Sequence, residues 1–120
     1  MAGSAPETRG RLSRSADFGA VYRRGRSRSS RHLVVYDLDR PSSDQVGPRL
    51  GIALSRKVGG AVERNRLKRQ LREAFASIAP ALDRDRDVVV VGRPGLVQAV
   101  HREGYEWLVG ELRTLVGSAA

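Results

Sequence analysis

Val62-Glu63-Arg64-Asn65-Arg66-Leu67-Lys68-Arg69-Gln70-Leu71-Arg72-Glu73-Ala74-Phe75 has the spacing of an amphipathic helix and an unusual density of cations. Turned at 100° per residue, Leu67, Leu71, Ala74 and Phe75 fall on one stripe. Arg64, Lys68 and Arg72 form a row along one edge of it, Asn65 and Arg69 form the next row, and Arg66 lies beyond them. A solvated helix face normally interleaves acids for i,i+4 pairing, and here only Glu63 and Glu73 do so, at the ends. One buried stripe beside a wide band of guanidinium groups suits a helix that lies against a polyanion.

The rest of the chain agrees with that partner. Its 120 residues suit one domain with a modest core, and the net charge is +9 with a pI near 11.3. The charge is concentrated. Residues 1–36 carry +6 and residues 56–73 carry +5, whereas the segments 37–55 and 74–120 each come to −1. Two basic segments in an otherwise balanced chain indicate a binding surface. All but two of the 22 basic residues are Arg, whose planar fork matches phosphate. There are no cysteines, which excludes a disulfide framework and thiolate metal sites and fits a reducing compartment. The N-terminal residues lack the pattern of a secretory signal, and no apolar run approaches the ~18–20 residues of a membrane span. A cytoplasmic protein is expected.

Working outward, Leu50, Ile52 and Leu54 alternate with Gly51, Ala53 and Ser55 in Arg49 to Lys57. This is a strand with one bulky face for the core and one nearly bare face open to close approach. Gly59 and Gly60 turn it into the basic helix, predicted over about 61–78 and ended by Pro80. Upstream, Ser15 caps a short helix over 16–24 with Phe18 and Tyr22 on one face. Residues 26–30 read as a polar connection, Leu33 to Leu38 as a strand, and 39–48 as a loop. Downstream, Val88 to Val91 is apolar on both faces, which suits an interior strand. A last helix over about 103–116 carries Leu108, Leu112 and Leu115. The order helix, strand, strand, helix, strand, helix predicts an α/β (α+β) two-layer sandwich in one domain over 11–116. Residues 1–10 are expected to be a mobile tail and 117–120 a short C-terminal one.

Leu54-Ser55-Arg56-Lys57-Val58-Gly59-Gly60-Ala61-Val62 and the Arg64 to Glu73 helix together resemble the signature of the bacterial ribonuclease P protein family. Arg11-Leu12, Asp17-Phe18, Tyr22 and Gly25 resemble that family's first helix, and Arg31 to Tyr36 its first strand. The resemblance runs from about residue 9 to 116. It implies a fold like the second domain of ribosomal protein S5, with a left-handed crossover around the basic helix and an extra short strand of unassigned position. It implies a partner RNA that carries the catalysis, a precursor tRNA substrate, and Mg²⁺ bound mainly by the RNA, with no organic cofactor. A 1:1 complex of protein and RNA is expected, with no membrane involvement.

Residue by residue, the resemblance makes Arg64, Asn65, Arg66, Lys68, Arg69 and Arg72 contacts to the RNA subunit. It makes Phe18, Tyr22, Tyr36, Ser55 and Lys57 a cleft for the single-stranded 5′ leader, where bases stack on aromatic rings. Arg11, Arg14, Arg31 and Arg56 are expected to add phosphate contacts, as are Arg23 and Arg24. No catalytic constellation is visible. His32 and His101 read as surface or capping residues, Trp107 as packing, and Asp37 and Asp39 as loop-capping carboxylates that could otherwise meet hydrated Mg²⁺. The alternative is a ribosomal or rRNA-binding protein of the same fold, which explains the basic helix but not the aromatic set. A membrane-surface protein would need the apolar stripe of the helix exposed.

Overall fold

The structure, a computed structural model, describes residues 11–12, 15–40, 47–82 and 85–117. The expected mobile tail over 1–10 lies outside these, as do residues 118–120. Helix α1 spans Ser15–Arg24 and strands β1, β2 and β3 span Arg26–Ser29, Leu33–Asp39 and Arg49–Ala53. Helix α2 spans Ala61–Ile78 and runs into a 3₁₀ turn, Ala79–Ala81. Strand β4 spans Arg86–Gly92, and helices α3 and α4 span Leu96–Glu103 and Tyr105–Gly117.

The four strands form one sheet in the order β1-β2-β4-β3. β4 is antiparallel to β2 and parallel to β3, so α2 is the crossover between two adjacent parallel strands. The valine run explains why β4 is interior. Val88 and Val90 face one side and Val89 the other, and all three are fully buried. On the first side, Leu33, Val35, Val88 and Val90 meet Leu67, Leu71, Ala74 and Phe75 of α2 and Leu108, Leu112 and Val116 of α4 in the main core. On the second side, Val89 packs with Val21 of α1 and Leu12, flanked by Phe18, Tyr36, Leu38 and Val91. Three helices thus cover one face, and the short α1 covers part of the other.

Two elements differ from the sequence expectation. Residues 26–29, read as a polar connection, form β1, which pairs with β2 from Arg26↔Asp37 to Ser29↔Val34. Every β1 residue is exposed, so no hydrophobic alternation announces it. The strand exists because backbone pairing with β2 suffices, and its arginines suit an exposed sheet edge. It is the extra short strand that the resemblance left unplaced. The last helix lies where it was expected, as α4, but a further helix, α3, precedes it. α3 buries Leu96, Val97, Ala99 and Val100, and Gly104, at φ 95°, separates it from α4 in a conformation that a side chain would oppose. The sequence reading assigns no element to residues 96–102, a short stretch between Gly95 and the expected last helix.

Candidate nucleic-acid interface

Helix α2 begins where Gly60 donates its backbone N–H to Glu63 Oε1 at 3.0 Å, half of a capping box. Glu63 also places negative charge on the first turn, where the helix dipole favours it. The apolar stripe is buried as the periodicity requires, with Leu67, Leu71, Ala74, Phe75 and Ile78 inside. The basic residues are not one uniform face. Asn65, Arg66, Arg69 and Arg72 are exposed, whereas Arg64 and Lys68 are half-buried beside the core stripe. Arg64 Nε donates to the Gly59 carbonyl at 3.1 Å, so one edge of this guanidinium braces the entry to the helix. Partial desolvation and, less strongly, the like charge of nearby Arg11 lower the Arg72 pKa. Arg66 lies on the opposite flank, in a groove against α3 and α4.

Arg11 pairs in parallel with Leu50, and Leu12 N–H donates to the Leu50 carbonyl at 2.9 Å. Arg11 and Leu12 therefore lie along the outer edge of β3, with Arg11 at the α2 flank. Arg31 and Arg56 are also exposed, as are Arg23 and Arg24. Arg14 lies outside the described residues.

The aromatic set converges. Tyr22 of α1 meets Tyr36 of β2 edge-to-face at 5.0 Å between centroids, and Phe18 lies 6.3 Å from Tyr22. Tyr22 keeps 41% of its surface exposed, and Tyr36 is half-buried. Partial burial, reinforced by Tyr36, raises the Tyr22 pKa above that of a free tyrosine. Phe18 rests on Gly51, where a Cβ would come within 2.6 Å of Phe18 Cζ. This corrects the expected bare face in one respect. At Gly51 the close approach is made by the protein's own Phe18, and the open floor begins beyond it, at half-buried Ala53, Val91 and Val34 on three adjacent strands. Neither Val34 nor Val91 stood out in the sequence, because strand valines read as core. The sheet order brings them side by side with Ala53, and all three stay half-buried.

Ser55 and Lys57 border this floor and are exposed. The Ser55 hydroxyl accepts the Lys57 backbone N–H at 3.3 Å, a local turn that gives the serine a structural role too.

The remaining candidates settle into the fold. Asp37 is a correction: it neither caps a loop nor faces solvent, but is buried in an ion pair with Arg86. Asp39 is exposed at the end of β2, and among the described residues no group of three or more His, Asp or Glu gathers into a metal-binding cluster. His32 packs edge-to-face on Trp107 at 5.8 Å, a packing contact for both, and His101 is exposed. Among the described residues no helix is long and apolar enough to cross a membrane.

The family model described as Ribonuclease P matches residues 7–119. The chain belongs to the ribonuclease P protein family. A Bacillus pumilus ribonuclease P protein component is 39% identical over 85 residues, covering 71% of this chain and 70% of that one. A Bacillus cereus ribonuclease P protein component is 34% identical over 93 residues, 78% and 79% of the two. Among solved structures, a Staphylococcus aureus RNase P protein mutant with defective mRNA degradation activity superposes with a TM-score of 0.81 at 29% identity, over 98% of this chain and 93% of that one. The Thermotoga maritima RNase P protein gives 0.76 at 30% identity, over 88% and 94%. The ribonuclease P family thus prevails over the ribosomal alternative, as the aromatic set suggested. Membership makes the chain part of an endoribonuclease that processes tRNA and gives it the ribonuclease P RNA as partner.

Proposed function

We propose that this ribonuclease P protein grips the RNA subunit with Asn65, Arg69 and the Arg64, Lys68 and Arg72 flank of α2, and holds the single-stranded 5′ leader of precursor tRNA on the opposite sheet face. The observation that carries this reading is the convergence of Phe18, Tyr22 and Tyr36 at the edge of the open floor formed by Ala53, Val91 and Val34. A flexible single strand needs stacking rings and a close-fitting floor, with cations beside it for its backbone. Lys57, Arg56 and Arg31, all exposed, supply such cations, and Arg11 links the floor's edge to the α2 flank.

In this reading the RNA subunit carries the catalysis and binds the Mg²⁺ that activates water for phosphodiester hydrolysis. The protein contributes positioning and charge neutralisation. It holds the leader so that the scissile phosphate meets the RNA active site, and its cations reduce the repulsion between two RNAs. One protein per RNA is sufficient, because a single chain carries both surfaces. The cysteine-free sequence fits a reducing, cytoplasmic setting.

The test is cleavage of a precursor tRNA by ribonuclease P RNA at low Mg²⁺, with and without this protein. Stimulation is expected. Its absence would overturn the reading, and cleavage by the purified protein free of RNA would overturn the accessory role.

A further inference from the structure

On the helix-covered side of the molecule, α2 does not close against α3 and α4 along its whole length. A groove of about 500 Å³ opens between them, within the range of clefts that hold a small planar ligand. Its apolar part is Val62, Leu67, Val97 and Val100, and its polar groups are Glu63, Arg66, Gln70, His101 and Tyr105. Val62 is 82% exposed, a large apolar side chain at the mouth. The groove adjoins the proposed RNA-gripping surface, because Arg66, which lines it, is exposed one helical turn from Arg69.

We propose that this groove receives a single unpaired nucleobase of the ribonuclease P RNA, splayed out of its own stack. The inference rests on the reading of α2 as the RNA-subunit contact. Charge favours a base over a phosphate. The cation of Arg66 is balanced by the carboxylate of Glu63, which is already fixed by the Gly60 N–H, so the groove has little net attraction for an anion. A neutral ring is what remains compatible, and the walls suit it. Valine side chains offer apolar surface, the rings of Tyr105 and His101 and the Arg66 guanidinium plane offer stacking faces, and the Gln70 amide offers both a donor and an acceptor to a base edge. The source is the RNA subunit, because the groove and the aromatic cleft lie on opposite faces of the sheet. A leader seated on Tyr22 and Tyr36 is separated from it by the sheet and its main core.

The test uses affinity for the ribonuclease P RNA across a salt series, with Q70A and H101A compared against R69A. Gln70 is half-exposed and His101 exposed, so both variants should retain the wild-type melting temperature. Loss of a stacked and edge-bonded base should weaken binding about tenfold with the salt slope unchanged, since no phosphate contact is lost. R69A should instead lower the slope. Wild-type affinity in Q70A and H101A, with a lowered slope in R69A, would overturn the base groove and leave the helix reading intact. No change in any of the three would overturn the helix reading itself.

A second measurement exploits the absence of cysteine. A V62C variant carries the chain's sole thiol, and a short thiol-linked photocrosslinker there should join to one unpaired nucleotide. Making that nucleotide abasic should reproduce the tenfold loss. Crosslinks confined to paired nucleotides, or an abasic RNA bound as tightly as the intact one, would overturn the proposal.

Discussion

Arg86 of β4 and Asp37 of β2 form an ion pair in which each side chain is only 2% exposed, on the sheet face that α2, α3 and α4 cover. Such a pair adds little over a well-packed apolar one, but removing one member strips the other of this buried counter-charge. Arg86→Met should therefore destabilise the fold by ~3–5 kcal/mol, and the double substitution Asp37→Leu with Arg86→Met should recover most of that. Urea unfolding of the two variants, compared in a cycle with the Asp37 single variant, checks it.

Salt dependence reports whether α2 touches phosphate. Replacing Arg69 and Arg72 with Ala should weaken binding to ribonuclease P RNA and lower the slope of log K against log salt by ~0.7–0.9 for each lost contact. An unchanged slope would mean that these guanidinium groups face solvent in the complex.

Tyr36 should discriminate substrate from product. Tyr36→Ala is expected to weaken precursor tRNA binding by ~1–3 kcal/mol, the contribution of one stacked base, while leaving mature tRNA binding nearly as it was. Equal losses for both RNAs would point to a damaged fold, because Tyr36 also flanks the second core.

Gly51 is the position at which cleft shape and stability meet. A Cβ there would come within 2.6 Å of the Phe18 ring and 3.1 Å of Leu12 Cβ. Gly51→Ala should cost ~1–3 kcal/mol by overpacking and should push Phe18 outward. Thermal unfolding measures the first effect, and a changed leader preference of the reconstituted enzyme measures the second.

Tyr22 should titrate above a free tyrosine, since burial and then Tyr36 both disfavour its phenolate. A raised folded-state pKa stabilises the fold below the unfolded tyrosine pKa, and that contribution is lost as pH rises through the folded value. Ultraviolet titration of tyrosinate should show a late-ionising group. Tyr36→Phe should move it down only in part, because burial is the larger cause.

Much of this was legible beforehand. The α2 stripe and the doubly apolar β4 each carry a strong period and lie where it put them, and Leu50, Ile52 and Leu54 all reach the main core although β3 ends at Ala53, short of the expected Lys57. The family signature added the aromatic set, and the fold brings its members together. What escaped lacked a local signal. β1 is Arg-Ser-Arg-Ser, held by strand pairing rather than by burial. α3 is one short stretch bounded by glycines. Asp37 looked like a strand-end carboxylate because its partner lies 49 residues away. The cleft floor and the α2 groove arise from gaps between elements, and no segment encodes a gap alone.

Asp87 receives Arg40 from one side of the β2–β3 connection and Arg49 from the other, each at 2.8 Å, and Arg40 Nη2 also donates to the Gly47 carbonyl at 2.7 Å. The chain thus leaves and re-enters the sheet through one clasp whose ends are already joined. Loop closure grows only slowly with length, so foreign residues inserted between 40 and 47 should cost little stability. That connection is a ready mounting point for a fluorophore or affinity handle, through which assembly of the ribonucleoprotein can be followed.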